Sequence, residues 1–82
     1  MAKVNLPFEL AKKVGKNAVE LDGASLKELF EKARSELGVD LAAEAKKLAV
    51  LINGRNIHYL KGWSTPIKAD DEIWFVAGSG GG

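Results

Sequence analysis

The sequence predicts an α+β domain, a mixed sheet of about five strands packed on one main helix. Three observations predict it. Apolar residues alternate at period two from Val4 near the start of the chain, and a short strand-length apolar run, Ile73 to Ala77, lies near its end. One stretch, Leu26 to Leu37, carries them at helical spacing instead. Two strand patterns precede that helix and three follow it, so the sheet must be assembled around it.

The first strand is expected from Lys3 to Leu10, KVNLPFEL, with Val4, Leu6, Phe8 and Leu10 on one face. Pro7 cannot donate to a ladder, so the strand must break, bulge or lie at an edge there. Gly15-Lys16 supplies a turn into a second strand, Asn17 to Leu21, with Val19 and Leu21 inward. Ser25 is the expected N-cap of the main helix, and Glu28 three residues later completes a capping box. Leu26, Leu29, Phe30, Ala33 and Leu37 form the stripe that faces the core, and Gly38 stops the helix in the left-handed region. Asp40 caps a second, short helix through Lys46. Ala49 to Asn53 is a continuous apolar strand. Asn53-Gly54 is a two-residue hairpin signal, because both residues tolerate positive φ. Asn56 to Tyr59 is the expected return strand, and Lys61 to Asp71 a loop broken by Gly62 and Pro66. Glu72 to Ala77 is the last strand, with Ile73 and Phe75 on one face and Trp74 and Val76 on the other. The first strand is expected in the centre, beside the last, with a right-handed crossover through the helix. That is the β-grasp arrangement of ubiquitin-like proteins.

Composition narrows the function. At 82 residues the chain has the size of one domain, too small to hold a full core and a deep catalytic cavity together. It has no cysteine, which excludes disulfides, thiolate metal sites and a cysteine nucleophile. Its single histidine, His58, leaves no multi-histidine metal site. Twelve basic and eleven acidic residues give a net charge of +1, against the basic excess of a nucleic-acid binder. No apolar run has the length of a membrane span and no signal peptide is visible, so a cytoplasmic location is expected. Residues 1–77 are expected as the folded domain and residues 78–82, Gly-Ser-Gly-Gly-Gly, as a flexible tail. Taken alone, that tail has the composition of a linker or an unstructured terminus.

The remaining polar and aromatic candidates have structural readings. His58 stands alone on a short strand with no second ligand in view. Trp63, beside Gly62, reads as a lid over the core. Lys12-Lys13-Lys16 and Lys46-Lys47 read as solvated faces able to steer an acidic partner. Asp70-Asp71-Glu72 reads as a turn, because its spacing matches no metal loop.

Four features in order carry a family resemblance. The opening VNLPFELAKKVG resembles a V-x-[LI]-P-x-x-L start with a glycine following, and VLINGR, Val50 to Arg55, is similar to the V-N-G-R hairpin of MoaD-type proteins. IKADDEI, Ile67 to Ile73, resembles an L-K-D-G-D-x-V stretch, with Asp70 where glycine is usual, and the sequence closes on Gly81-Gly82. Together they resemble the ThiS/MoaD sulfur-carrier family over the whole chain. One departure lies before the Gly-Gly, where Val76-Ala77-Gly78-Ser79-Gly80 stands in place of the family's prolines or Val/Ala.

The resemblance implies that the chain is not an enzyme. It implies a sulfur carrier whose Gly82 carboxylate is adenylated by an E1-like adenylyltransferase and then converted to a thiocarboxylate by a sulfur donor. The thiocarboxylate passes sulfur to a sulfur-accepting synthase subunit, in molybdopterin synthesis first, with thiamine or another product as alternatives. No cofactor is bound permanently, and ATP is used by the activating partner. The alternative is a ubiquitin-like modifier joined to lysines through Gly82. Gly80, Gly81 and Gly82 form the part of the tail that enters a partner's active site. Physically, such a tail must be narrow, and glycine imposes no side chain. Five residues span at most ~17 Å, and ordering them costs roughly 1–2 kcal/mol each. The folded body must therefore supply the binding energy, through an exposed apolar patch near the tail. Leu51, Trp74 and Val76 are expected to form that patch, with Trp74 its energetic centre, unless the faces of the last strand are inverted.

Overall fold

The computed structural model describes residues 1–77. Five strands form one mixed sheet: β1 Ala2–Asn5, β2 Ala18–Leu21, β3 Leu48–Ile52, β4 Arg55–Asn56 and β5 Glu72–Ala77. Three helices accompany them, α1 Phe8–Val14, α2 Leu26–Leu37 and α3 Leu41–Glu44, with single 3₁₀ turns at Ile57–Tyr59 and Gly62–Ser64. The strand order is β2-β1-β5-β3-β4. β1 and β5 run parallel at the centre, with Val4 opposite Ile73, and every other pairing is antiparallel. The expected α+β, β-grasp architecture is the one observed.

The main helix forms as its sequence signals dictate. The Ser25 hydroxyl accepts the Glu28 N–H at 3.3 Å, and the Glu28 carboxylate accepts the Ala24 N–H at 3.1 Å. The reciprocal bond thus falls one residue earlier than in a standard capping box. Gly38 closes the helix at φ 70°. Leu26, Leu29, Phe30 and Ala33 are buried against Val4, Val50, Ile52 and Ile73 from the sheet, while Leu37 is half-buried at the margin. Phe30 joins two layers. It stacks on Phe75 of β5 at 5.8 Å between centroids and meets Trp63 edge-on at 5.1 Å.

The first segment departs from expectation. β1 stops at Asn5, and Phe8 to Val14 is helical rather than extended. Pro7 stands at the N-cap, where a missing N–H costs nothing, Glu9 lies in the first turn, Lys12 and Lys13 lie in the last, and Gly15 ends the helix at φ 85°. These are start and stop signals of a helix, and they outweigh the period-two alternation that continues through Leu6, Phe8 and Leu10. Leu10 and Val14 pack on the core, whereas Phe8 is 74% exposed, with the Lys12 ammonium 5.4 Å from its ring centre. Gly15 is therefore a helix stop and not a hairpin turn.

Three smaller corrections concern the second half. α3, capped by Asp40 as expected, ends at Glu44 instead of Lys46. The return strand is two residues long, because the Asn56 side chain accepts the His58 N–H at 2.8 Å and turns the chain into a 3₁₀ turn. The segment after Lys61 is a clamp rather than a free loop. Thr65 C=O accepts the otherwise unpaired Leu26 N–H at the start of α2, and Ala24 C=O accepts the Ile67 N–H. The Thr65 hydroxyl is buried and bonded to Gly62 and Lys61.

The Asn53-Gly54 hairpin has φ 52° and 85°. Asn53 also ties β3 to the entry of β5. Its amide donates to Asp71 Oδ1 at 2.8 Å, and its carbonyl oxygen accepts the Glu72 N–H at 2.9 Å. Asp71 in turn accepts the Lys68 N–H, so the acidic run closes a turn.

Two outcomes follow from these contacts, both read by urea unfolding. Asn53→Gly keeps the turn but loses both side-chain bonds, lowering stability by about 1–2 kcal/mol. Asn53→Ala adds the strain of a left-handed alanine, about 1–2 kcal/mol further. At Gly23 a Cβ would stand 2.9 Å from the Leu29 nitrogen, so Gly23→Ala destabilises by about 1–3 kcal/mol.

Candidate functional site

β5 is apolar on both faces, but the helices cover only one. Ile73 and Phe75 point to α2, while Trp74 and Val76 point to the open side and are 43% and 38% exposed. The faces of the last strand are not inverted. In the β3–β5 register Trp74 lies directly opposite Leu51, and Val76 lies opposite Ala49. Leu51 is half-buried and shares the open face with Trp74. The structure thus brings Leu51, Trp74 and Val76 together as one apolar strip.

The rest of that face is polar. Lys3 pairs with Glu72 at 3.6 Å, and the Asn5 amide donates to the Ile73 carbonyl at 3.0 Å. Lys3 also lies opposite Glu20 across β1 and β2. The open face is therefore charged over β2, β1 and the start of β5, and apolar toward the end of β5. The chain runs on from Ala77, at the apolar end, into residues 78–82. Gly80, Gly81 and Gly82, and the glycine tail as a whole, lie outside the described residues.

The remaining candidates sort differently. His58 is exposed in its 3₁₀ turn, and the described residues hold no cluster of three or more metal-ligating side chains. Trp63 does lie over the core, as expected, but it keeps a large exposed surface and borders two shallow grooves. No helix among the described residues is long and apolar enough to cross a membrane. Sequence reasoning missed Phe8, which was placed inward on a strand and instead lies exposed at the start of α1. Because β1 runs parallel to β5, α1 leaves the sheet at the end where β5 also ends. The proline, acidic and basic residues, and glycine around α1 were the signal that finds it.

Neighbouring residues of β5 separate the two faces experimentally. Trp74→Ala and Val76→Ala each change the unfolding free energy by less than about 1 kcal/mol. Phe75→Ala, which removes the stacking partner of Phe30, costs about 3 kcal/mol.

The sequence pattern of the ThiS family matches residues 4–82. No curated protein matches the sequence. Three of the solved structures that share the fold illustrate the likeness. CysO of Mycobacterium tuberculosis, described as an antigen, superposes with a TM-score of 0.83 at 14% identity, covering 94% of this chain and 98% of its own. CysO in the BexX/CysO complex of Amycolatopsis orientalis gives 0.77 at 20% identity, with both chains covered in full. The small archaeal modifier protein 1 of Methanosarcina acetivorans gives 0.76 at 23% identity, covering 99% and 95%.

Proposed function

The chain belongs to the ThiS family, and from that premise we propose that it is a sulfur carrier: a protein cosubstrate, not a catalyst, whose reagent is the Gly82 carboxylate. The observation that carries the reading is the apolar strip of Leu51, Trp74 and Val76 on the uncovered face of the sheet, at the end of β5 that leads into a Gly-Gly terminus. A tail of small residues contributes little affinity and loses entropy on docking. An adjacent surface must hold the partner, and a half-exposed tryptophan beside leucine and valine is suited to do so.

The chemistry follows from the carboxylate. An E1-like adenylyltransferase uses ATP. A Gly82 carboxylate oxygen attacks the α-phosphorus, pyrophosphate leaves, and the acyl adenylate makes the carbonyl electrophilic. Sulfide-level sulfur from a donor then attacks the carbonyl carbon, the bond to the AMP oxygen breaks, and AMP leaves to give the thiocarboxylate. Burial of Gly80, Gly81 and Gly82 in the partner keeps both species from water. A synthase subunit accepts the sulfur, with molybdopterin as the first product to examine and thiamine among the others.

A second reading has its own support. The archaeal neighbour is described as a modifier protein, and the same adenylate can acylate a lysine instead of sulfur. The two uses leave different products. Incubation with the adenylyltransferase, ATP and a sulfur donor is expected to add about 16 Da to the intact protein, from one oxygen exchanged for sulfur. Isopeptide adducts without that gain establish the modifier in its place. Trp74→Ala is expected to weaken binding to the adenylyltransferase at least tenfold, about 1.4 kcal/mol, as measured by titration calorimetry. Unchanged affinity removes the strip from the docking surface.

A further inference from the structure

Two connections flank the end of the sheet where β5 stops. β1 runs parallel to β5, and Asn5 of β1 lies opposite Ala18 of β2, so the β1–β2 connection with α1 stands at that end. Leu48 lies opposite Ala77, so the turn from α3 into β3 stands there too. Five lysines sit on these connections. Lys12 and Lys13 are in the last turn of α1, Lys16 precedes β2, and Lys46 and Lys47 immediately precede β3. All five are exposed. β5 lies between β1 and β3 in the sheet, so the chain leaves Ala77 between the two groups.

The charge at this end is in excess and unspent. Residues 6–17 and 44–47 hold two acidic residues beside the five lysines, Glu9 and Glu44. Lys47 makes a loose pair with Glu44 at 4.0 Å, and the other four lysines have no carboxylate within that distance among the described residues. Lys12 has the Phe8 ring at 5.4 Å, and Phe8 is itself 74% exposed. At the opposite end Asp22, Asp70 and Asp71 are matched by Arg55, Lys68 and the amino terminus. The whole chain carries only +1, so the rest of the molecule is acidic on balance. Residues 78–82 carry no charged side chain, so the lysines set the field around the exit. A protein that takes in the tail must bring the rim of its channel onto this end. A basic rim is repelled there, an acidic rim is attracted, and a second copy presents the same lysines. A nucleic acid, negative along its length, meets the acidic excess elsewhere on the chain.

We propose that Phe8 with Lys12, Lys13, Lys16, Lys46 and Lys47 forms a collar around the exit of the chain, and that this collar docks on an acidic rim at the channel through which the adenylyltransferase receives the tail. The partner's identity rests on the carrier reading. The lysines act at long range and set the rate of encounter, whereas Phe8 acts only in contact and sets the rate of release. The collar is distinct from the Trp74 strip, which lies on the open face.

The test is association of the intact chain with the adenylyltransferase, followed by surface plasmon resonance. The association rate of the unmodified chain is expected to fall about tenfold as salt rises from about 50 to about 300 mM. Lys12→Gln/Lys13→Gln/Lys16→Gln and Lys46→Gln/Lys47→Gln are each expected to slow association about three- to tenfold at the lower salt and to flatten its salt dependence. Arg55→Gln/Lys68→Gln, a charge loss at the opposite end, is expected to leave the rate unchanged. Phe8→Ala is expected to speed dissociation severalfold and to leave the salt dependence as it was. Circular dichroism checks that each variant is folded. The intact mass separates the two readings. If the unmodified chain gains about 16 Da while the lysine variants associate as fast as it does, the collar is refuted and the carrier stands. Isopeptide adducts with lysine-dependent association retain the collar and replace the carrier with the modifier. Absence of any binding to the enzyme removes both. Equal slowing by Arg55→Gln/Lys68→Gln, or lysine-dependent binding of a single-stranded RNA with enzyme association unaffected by the lysines, also overturns the collar.

Discussion

The parallel pairing of β1 with β5 is the constraint on which the rest of the structure depends. Val4 and Ile73, opposite one another in that pair, are both fully buried. Two parallel strands that lie some seventy residues apart cannot be joined by a tight turn, so everything between them must travel around the sheet. The main helix makes that journey across one face and is clamped at its start by the Thr65 carbonyl. The same pairing sends the ends of β1 and β5 in one direction. The α1 helix and the exit of the chain into its glycines therefore share one end of the molecule.

β5 carries two functions in one strand because its neighbours in sequence face opposite ways. Ile73 and Phe75 belong to the core, and through Phe30 the packing of β5 reaches Trp63 at the far surface. Trp74 and Val76 belong to the uncovered face. A central strand with apolar residues on both faces is expected where both faces are covered. Here one face has no cover from the described residues, which leaves Trp74 and Val76 as exposed apolar surface. The charged half of that face, around Lys3 and Glu72, bounds the apolar strip and gives it an orientation relative to the end of β5.

The legible parts were those where the signal is local. Ser25, Glu28 and Gly38 announce the main helix, Asn53-Gly54 announces the hairpin, and alternation places Trp74 and Val76 opposite Phe75. The illegible parts were those where two local signals compete. Val4, Leu6, Phe8 and Leu10 alternate as a strand, yet Pro7, Glu9, Lys12, Lys13 and Gly15 are arranged as a helix, and tertiary contacts of Leu10 and Val14 settle the matter. Likewise the return strand after Arg55 is apolar enough to continue, but an Asn56 side-chain bond ends it.

By itself the sequence determined the class of fold, the main helix and its limits, the hairpin, and the identity of the residues on each side of β5. It could do so because periodicity and capping act within a few residues. Only the tertiary structure decided that the helices cover one face of the sheet and leave the other uncovered by the described residues, and that Leu51 meets Trp74 across two strands. Those facts depend on register and on which strands become neighbours. Both are set by the burial of side chains far apart in the chain, which no local pattern records.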